Sequence, residues 1–462
     1  MQVTVGNQLR IENPSEQLLT WCRKQLILSN PEYIKKKRMG FWTGNTPEKL
    51  YLFQWDGDTL VLPYGCLNDV LAMDDCHMQV NLPTPTEVDF GCTIPLYDYQ
   101  VEAKEALITA YYGILQAPAG CGKTQIGIAV AADTGRRTLW LTHTRDLLVQ
   151  SKSRAEQYMS PSLTGTITEG RVQIGKAITF ATVQTMCNLD LSQYRDVWDC
   201  IIVDECHRVA GTPTAMTQFS KVLNALAARH KYGLSATVHR ADGMIAATYA
   251  LLGGIAYQVP DEAVKDKIMT VSVLPRATHI GLDREFLDTD GTIIYAKLVN
   301  YLTEDFRRNG QIVGDLMLND QHFNLILSDR LNHLEYLMNH LPRQLREQAV
   351  MIDGKMTTKK AKALREQAIE EMRQGRKRYL FATYSLAKEG LDIPRLDRLY
   401  LTTPQKDYAV ITQSIGRIAR TFEGKGEPIA YDYVDDGIQY LVRSYKKRCT
   451  TYRKAGCKFL EP

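Results

Sequence analysis

The feature that most constrains this 462-residue chain is the stretch Gln116–Thr124, QAPAGCGKT. An apolar run, Ile108–Leu115, predicts a strand before it, and Gln125–Ala132 predicts a helix after it. A strand, a glycine-containing loop and a helix in this order are typical of a phosphate-binding loop. Gly120 and Gly122 let the backbone turn its N–H groups towards an anion, and the helix dipole points the same way.

The residue types in this loop predict what it would hold. Lys123 can reach the β- and γ-phosphates of a nucleotide, and the Thr124 hydroxyl can bind Mg²⁺. Ala117 stands where the usual pattern has its first glycine, whereas the last four residues fit. The alternative is a glycine-rich turn without a ligand. The predicted nucleotide contacts are Ala119, Gly120, Cys121, Gly122, Lys123 and Thr124.

Length and composition bound the class of protein. A chain of 462 residues is too long for one core and favours about three domains. No apolar run is long enough to cross a bilayer, and Met1–Arg10 has no signal-peptide core. The ten cysteines include no CxxC pair, which argues against a zinc site or a disulfide framework and favours a reducing cytoplasm. The net charge of only +4 means that a nucleic-acid surface would need local clustering of cations.

Residues 1–92 read as a small separate α+β module. Asn13, Pro14 and Glu16 offer helix-start signals, so the sequence predicts a helix over Pro14–Leu28. Turn residues separate the β-prone segments that follow it. The predicted strands are Met39–Thr43, Leu50–Trp55 and Thr59–Pro63.

A basic cluster lies between this helix and these strands. Lys35, Lys36, Lys37 and Arg38 are consecutive, and the aromatic pair Phe41–Trp42 follows closely. Cations beside aromatics suit phosphate contact combined with base stacking. The alternative is a solvated charge run, with the aromatic side chains in the core.

Strands and helices alternate after the glycine loop. The predicted helix is Arg145–Met159, and the predicted strands are Arg137–Thr142, Ala177–Thr182, Val197–Val203 and Tyr232–Ser235. Such alternation predicts a parallel sheet covered on both faces, with ligands bound at the carboxyl ends of the strands.

An acidic pair follows one of these strands. Val197–Val203 runs directly into Asp204 and Glu205. One carboxylate would bind Mg²⁺, and the other would orient and deprotonate an attacking water. The alternative is an ordinary acidic turn. Ser235 and Thr237, after the next strand, can bridge to this site.

The second half repeats the alternation without a glycine loop. It predicts a helix over Lys297–Asn309, with Gly310 as its stop, and a helix over Val410–Arg420 that carries Gln413, Arg417 and Arg420. Arg417 and Arg420 are three apart and so would share one helix face. Two such arginines suit stabilisation of a leaving γ-phosphate, or contact with a phosphate backbone. The other predicted elements are Phe323–Leu327, Leu331–His340, Gln348–Ile352, Lys359–Gln374, Arg378–Thr383 and Arg398–Leu401.

The motifs together resemble a known family. QAPAGCGKT, VDECH, LSAT, FATYSLAKEGLDIP and QSIGRIAR stand in the order of motifs I, II, III, V and VI of superfamily 2 helicases. The resemblance covers roughly residues 93–435 and implies an α/β fold of two tandem RecA-like domains, with ATP and Mg²⁺ between them. The expected domains are residues 1–92, then 93–260, then 261–462 with a basic C-terminal tail.

The resemblance also implies roles for individual residues. Gln100 would contact adenine, Asp204 and Glu205 would serve the metal and the water, and Ser235 and Thr237 would couple the lobes. Gly390 and Asp392 would contact the nucleotide, while Arg417 and Arg420 would act as arginine fingers and Gln413 would belong to the catalytic set. The expected grip on the nucleic-acid backbone is Thr142, Arg145, Thr182, Gln184, Ser328 and Thr383, with Lys35, Lys36, Lys37 and Arg38 in the first module.

A closer resemblance is to two branches of this superfamily. His239–Gly243, HRADG, is similar to the segment after motif III in XPB-like proteins, and the first module and chain size look like phage UvsW-type helicases. That implies a DNA helicase acting on forked, four-way or single-stranded DNA in the cytoplasm, with no membrane partner. An RNA helicase of the same fold, and a translocase or ATP-gated clamp that separates no strands, remain alternatives. A plain P-loop kinase would need neither the second lobe nor its arginines.

Overall fold

The computed structural model describes most of the chain. The described residues are 1–73, 75–118, 120–209, 212–236, 244–264, 268–281, 286, 293–353, 359–388 and 391–461. Three predicted site residues, Ala119, Thr237 and Gly390, lie outside the described residues, and so does the whole HRADG segment. In the part that is described, no helix is long and apolar enough to cross a membrane.

The chain divides into two compact units. The first comprises Met1–Pro118 and Gly122–Ala263, and the second comprises Val264–Pro462 together with Ala119–Cys121. Each unit contains a mainly parallel sheet with helices packed against it. The predicted α/β class is confirmed.

Residues 1–92 form the first part of the first unit. Within the described residues they form a five-stranded sheet in the order β5-β6-β2-β1-β7, and a β3-β4 pair. The strands are β1 (Gln2–Val5), β2 (Gln8–Glu12), β3 (Ile27–Ser29), β4 (Lys49–Tyr51), β5 (Gln54–Asp56), β6 (Thr59–Pro63) and β7 (His77–Val80). The helices are α1 (Glu16–Gln25), α2 (Pro31–Arg38) and α3 (Leu67–Met73).

Several local predictions for this region are wrong. The first helix starts two residues later than expected, because Ser15 is its N-cap and accepts from the backbone N–H of Leu18 at 3.1 Å. Asn13 has φ +52°, which is incompatible with a helix start at Pro14. The basic cluster lies in helix α2, and Met39–Thr43 forms no strand. Strand β6 is confirmed at its predicted bounds.

This first region packs directly on the sheet that follows it. The Tyr64 hydroxyl donates to the carbonyl of Arg229 at 3.0 Å, and the backbone N–H of Asn68 donates to the Tyr112 hydroxyl at 3.0 Å. A Cβ at Gly65 would lie 2.3 Å from the backbone nitrogen of Gly253, so only glycine allows this approach. Residues 1–92 therefore share one compact unit with the sheet that carries the glycine loop.

The first large sheet follows the order β11-β10-β12-β9-β13-β14-β8-β15 among the described residues, and every pair except β10-β11 is parallel. The predicted strands are all present, although the helix over Arg145–Met159 ends at Ala155. The strands are β8 (Tyr112–Gln116), β9 (Thr138–Thr142), β10 (Thr164–Thr168), β11 (Arg171–Gln173), β12 (Ile178–Thr182), β13 (Cys200–Asp204), β14 (His230–Ser235) and β15 (Ile255–Gln258). The helices are α4 (Asp98–Ala110), α5 (Lys123–Thr134), α6 (Arg145–Ala155), α7 (Val183–Cys187), α8 (Pro213–Ala225), α9 (Ile245–Leu252) and α10 (Asp261–Val264).

The second large sheet follows the order β18-β19-β17-β20-β21-β16-β22 in the described part of the second unit, with all pairs parallel. Its strands are β16 (Ser272–Ala277), β17 (Asn324–Ser328), β18 (Ala349–Ile352), β19 (Tyr379–Thr383), β20 (Arg398–Leu401), β21 (Ile429–Val434) and β22 (Lys458–Phe459). Its helices are α11 (Tyr295–Glu304), α12 (Phe306–Met317), α13 (Leu331–Asn339), α14 (Arg343–Arg346), α15 (Lys359–Arg373), α16 (Tyr384–Lys388), α17 (Tyr408–Ile418) and α18 (Gln439–Lys454).

Two predictions for the second unit are corrected. The helix over Lys297–Asn309 is two helices, because Asp305 ends α11 and caps α12 by accepting from the backbone N–H of Arg308 at 2.7 Å. Gly310 lies inside α12 and stops nothing. The basic C-terminal tail is the helix α18, which is followed by a strand paired to β16. The C-terminal residues are therefore part of the second compact unit.

Candidate nucleotide site and nucleic-acid surfaces

The glycine loop connects β8 to α5 as the sequence predicts. Gly120 has φ +88° and Gly122 has φ +82°, both in the region that favours glycine. A Cβ at Gly122 would lie 2.5 Å from the Gln100 Nε2 and 2.8 Å from the Gln125 Oε1. Gly122 is the N-cap of α5, so Lys123 and Thr124 are the first two residues of that helix.

Lys123 is held close to the loop. Its Nζ donates to the carbonyl oxygens of Ala117 at 3.3 Å and Pro118 at 3.4 Å. These are long contacts to neutral acceptors, and a phosphate oxygen would be a stronger partner for an ammonium group. The loop thus presents a cation and the positive end of a helix at the same place.

Gln100 lies beside the loop and closes the start of α4. Its Oε1 accepts from the backbone N–H of Tyr97 at 3.0 Å, and the side chain is buried. The contact between Gln100 and Gly122 places its amide next to the glycine loop. Its role in contacting adenine stays a prediction.

The acidic pair lies at the same edge of the sheet as the loop. Strand β14 separates β8 from β13, so the ends of β8 and β13 are two strand spacings apart, about 10 Å. Because all three strands are parallel, Gln116, Asp204 and Ser235 end at one edge. This is the edge where parallel sheets bind ligands.

Asp204 is a buried carboxylate. Its Oδ2 accepts from the Ser151 hydroxyl at 3.2 Å, and its Oδ1 accepts from the backbone N–H of Glu205 at 3.0 Å. Burial, with the neighbouring Glu205 charge adding to it, raises the pKa of Asp204 to about 6. A cation at this position would reverse both effects, which makes the site suited to a metal ion.

Glu205 and Ser235 are joined by a residue that the sequence analysis left without a role. The His207 Nδ1 lies 3.2 Å from the Glu205 Oε2 and 3.1 Å from the Ser235 hydroxyl. Glu205 has φ +49°, which turns the chain into the short helical turn Cys206–Arg208 and brings His207 back to the carboxylate. The histidine of VDECH was the available signal, because it follows the carboxylate pair by two residues.

In the second unit, Arg417 and Arg420 are arranged differently from the prediction. Helix α17 ends at Ile418, so Arg420 lies beyond it and pairs with Ile268 in a β-bridge; the two arginines do not share a helix face. The Arg417 Nη1 donates to the carbonyl of Leu391 at 3.1 Å, and Arg420 forms an ion pair with Asp392. Both arginines therefore contact one segment, residues 391–392.

Gln413 is a buried residue of α17. Its Oε1 is buried and accepts no hydrogen bond within the described part of the chain. A buried acceptor of this kind costs free energy unless a ligand or water satisfies it. The roles of Gln413, Arg417, Arg420 and Asp392 stay predictions.

The predicted nucleic-acid contacts of the first unit lie at or near strand ends. Thr142 and Thr182 are buried, and their hydroxyls bond to the carbonyl of Thr144 at 3.0 Å and the hydroxyl of Thr185 at 2.9 Å. Arg145 is half-exposed and pairs with Glu169 at 2.6 Å. The remaining predicted contact, Gln184, has its Nε2 3.2 Å from the His143 Nδ1.

The predicted contacts of the second unit end two neighbouring strands. Ser328 and Thr383 are partners in the β17-β19 register. The Ser328 hydroxyl is buried and lies 3.1 Å from the His333 Nδ1. The Thr383 hydroxyl lies 2.9 Å from the Ser385 hydroxyl. Their contact with a nucleic-acid backbone stays a prediction.

The residues present fit a nucleotide with a divalent cation. The glycine loop has the two left-handed residues and the following lysine and threonine that phosphates require. Asp204 is buried and accepts from the Ser151 hydroxyl and the Glu205 backbone N–H, and the Lys123 charge lowers its pKa. Thr124 and Asp204 are the residues that would hold the metal.

Two family descriptions match this chain. "Type III restriction enzyme, res subunit" matches residues 93–240, and "Helicase conserved C-terminal domain" matches residues 309–422. The first match contains the glycine loop and the acidic pair, and the second contains Gln413, Arg417 and Arg420.

Curated relatives include viral, archaeal and bacterial proteins. "Putative ATP-dependent RNA helicase L396" of Acanthamoeba polyphaga mimivirus is 24% identical over 436 residues, which are 92% of this chain and 78% of the relative. "DNA 3'-5' translocase XPB2" of Sulfurisphaera tokodaii is 24% identical over 373 residues, 74% of this chain and 81% of the relative.

Solved structures share the fold. S. cerevisiae Dbp5 bound to RNA and ADP BeF3 has a TM-score of 0.52 at 16% identity, over 80% of this chain and 94% of that chain. Phage T4 UvsW has a TM-score of 0.43 at 16% identity, over 100% of this chain and 99% of that one. The two sheets and the two matched family descriptions agree: the chain is a superfamily 2 helicase with two RecA-like domains, and it is similar to the XPB2 translocase.

Proposed function

We propose that this protein is an ATP-dependent DNA helicase that unwinds or branch-migrates forked and four-way DNA during recombination, repair or replication. The observation that carries the ATPase part is the chain of contacts from Glu205 through His207 to Ser235, beside the glycine loop. The choice of DNA is supported by the translocase name of the XPB2 relative.

Each step of hydrolysis can be given to particular residues of the chain. Lys123 and the backbone N–H groups at the start of α5 bind phosphate oxygens and orient them. Bound Mg²⁺, held by Thr124 and Asp204, would neutralise phosphate charge. Glu205 orients the attacking water and accepts its proton. The His207 Nδ1 lies 3.2 Å from the Glu205 Oε2, so a protonated imidazole would favour the ionised carboxylate.

Movement follows from a change in what the arginines contact. We propose that Arg417 and Arg420 leave residues 391–392 and contact the γ-phosphate in the ATP-bound state. Loss of that phosphate releases them, and the grip on the nucleic-acid backbone shifts by one step. Backbone grip reads no base sequence, so activity should depend on DNA shape and on salt.

An RNA helicase is the second candidate. The mimivirus relative carries an RNA helicase name and covers 92% of this chain. The ATP site is the same in both candidates, so only the polynucleotide distinguishes them. A third candidate is a duplex translocase or ATP-gated clamp that hydrolyses ATP without separating strands.

One panel tests the three candidates. The ATPase rate and strand displacement are measured on single-stranded, blunt duplex, forked and four-way DNA and on matched RNA. Displacement of forked and four-way DNA, with RNA inert, supports the proposal. Stimulation by RNA alone favours the RNA helicase, and ATPase without displacement favours the translocase or clamp.

Two variants test the ATP site within that panel. Lys123→Ala and Glu205→Gln should each lower the ATPase rate by about 100-fold or more, because each removes a group that acts in the transition state. Lys176→Ala and Glu105→Gln, exposed in the same unit, are the matched controls. Unchanged turnover in Glu205→Gln would contradict its assignment as the base.

A further inference from the structure

Helix α2 contributes no side chain to a core. None of its residues is buried. A helix of eight residues is too short to be stable alone, and most helices in proteins are stabilised by packing of an apolar face. Something other than burial keeps α2 folded.

Capping at both ends does this. The Asn30 side chain accepts from the backbone N–H of Glu32 at 3.0 Å, and Pro31 is the first helical residue. At the other end Gly40 has φ +66°, its N–H donates to the carbonyl of Lys37 at 3.2 Å, and the Phe41 N–H donates to the carbonyl of Lys36 at 2.9 Å. This is a Schellman motif, which fixes Phe41 directly after the helix.

The loop after α2 is tied back to the same helix. The Lys36 Nζ donates to the Thr46 hydroxyl at 2.7 Å, and the Asn30 side chain donates to the carbonyl of Pro47 at 2.8 Å. The Thr46 N–H closes a turn by donating to the carbonyl of Thr43 at 2.9 Å. The loop is therefore held at both ends.

This loop carries two aromatic side chains that are exposed to solvent. Phe41 is 60% exposed and Trp42 is 87% exposed. The indole of Trp42 rests on Gly44, where an added Cβ would lie 2.7 Å from the ring. The alternative of aromatic side chains packed in the core is thus wrong for these two residues. A large exposed aromatic surface in a fixed loop marks a binding site.

Charge indicates the partner. Lys35, Lys37 and Arg38 are exposed on α2. Lys36 is partly buried and forms an ion pair, with its Nζ 3.0 Å from the Glu32 Oε1. Three exposed cations within one turn and a half suit a polyanion, and the aromatic faces suit bases that are not stacked in a duplex.

We propose that α2 and residues 39–43 form a binding site for single-stranded nucleic acid, in which Trp42 stacks on a base and Lys35, Lys37 and Arg38 contact phosphates. This inference rests on the proposed function in that the strand is the one on which the helicase acts. The site would bind single-stranded nucleic acid at the first module. It is additional to the contacts predicted at the ends of the β-strands.

The test measures binding of labelled oligo(dT) and oligo(U) to the full chain without ATP, by fluorescence anisotropy. Trp42→Ala should weaken binding about tenfold or more, since stacking accounts for about that factor per base, and Trp42→Phe should recover most of the affinity. Trp55→Ala is the matched control, because Trp55 is an exposed tryptophan on β5 of the same module. It should bind as the parent does.

Salt dependence separates the two kinds of contact. Lys35→Ala and Arg38→Ala should each lower the slope of log K against log salt by about 0.7, whereas Trp42→Ala should leave the slope unchanged. The tryptophan fluorescence of the parent should be quenched by the oligonucleotide, and Trp42→Phe should lose that quenching while it still binds.

Equal binding by Trp42→Ala and the parent would overturn the proposal, as would an equal loss in Trp55→Ala. Loss of affinity for blunt duplex alone would also overturn it, since a duplex offers no unstacked bases along its length. Preference between oligo(dT) and oligo(U) tells which polynucleotide the site takes. Because no ATP is present, these results stand independently of the ATPase and displacement panel.

Discussion

Asp204 in the first RecA-like unit and Asp432 and Asp435 in the second are buried carboxylates with different partners. In the second unit, Asp432 accepts from the Arg448 Nη2 at 2.8 Å and Nε at 2.9 Å, and Asp435 accepts from the Arg308 Nε at 2.7 Å. In the first unit, Asp204 is buried and its hydrogen-bond donors are neutral, the Ser151 hydroxyl and the Glu205 backbone N–H.

The difference in partners distinguishes a carboxylate that stabilises the fold from one that is available to a ligand. A buried carboxylate with an arginine is compensated inside the fold, and breaking such a pair is costly. A buried carboxylate without one lowers stability and persists where a ligand completes it. We propose that Asp204 is kept for a cation that comes with the nucleotide. In the second unit, Asp435 and Asp432 anchor α12 and α18.

The largest effect on stability should come from breaking a pair in the second unit. Asp432→Asn should lower the free energy of unfolding by about 3–5 kcal/mol, because the buried Arg448 guanidinium loses its carboxylate. Urea denaturation followed by circular dichroism measures this. Asp436→Asn, which removes an exposed partner of His279, should change it by no more than about 0.5 kcal/mol. Equal losses in the two variants would contradict the distinction.

Asp204→Asn should raise the free energy of unfolding, the opposite of the effect of Asp432→Asn. The raised pKa of Asp204, about 6, means that its proton uptake stabilises the fold below pH 4 and that this contribution is lost as the pH rises through 6. The asparagine variant should therefore be more stable than the parent at pH 7, by about 2 kcal/mol, and less distinct from it at pH 5. Thermal unfolding at both pH values without nucleotide measures this. A variant that is less stable at pH 7 would show that Asp204 is structural.

A buried lysine gives the smallest expected effect. The Lys231 Nζ on β14 donates to the carbonyls of Asn7 at 3.2 Å and Leu223 at 2.9 Å, and burial lowers its pKa to about 7. Above pH 7 the unfolded chain holds a proton that the folded chain has lost, so stability should rise with pH, by about 1 kcal/mol from pH 7 to 8. Lys231→Met should lose this rise, whereas the exposed Lys221→Met should keep it. Identical pH profiles for all three proteins would contradict the lowered pKa.

Prediction from sequence worked where a residue's neighbours along the chain determine its geometry. The glycine loop, β13 ending in Asp204 and the parallel sheets follow from local patterns of glycine, apolar runs and strand–helix alternation. Predictions failed where a capping side chain or a distant segment offers the backbone a competing hydrogen bond. The single helix over Lys297–Asn309 breaks because Asp305 can cap a new helix, and α17 ends before Arg420 because that residue joins a β-bridge with Ile268.

By itself the sequence determined the fold class, the order of the motifs and the position of the glycine loop between a strand and a helix, because glycine dihedrals and hydrophobic periodicity are local properties of the chain. Tertiary structure alone decided that His207 lies between Glu205 and Ser235, that Asp432 is paired with an arginine whereas Asp204 accepts from a serine, and that Trp42 lies outside the core. These facts depend on distances between residues far apart in the chain and on exposure to water, which no spacing in the sequence records.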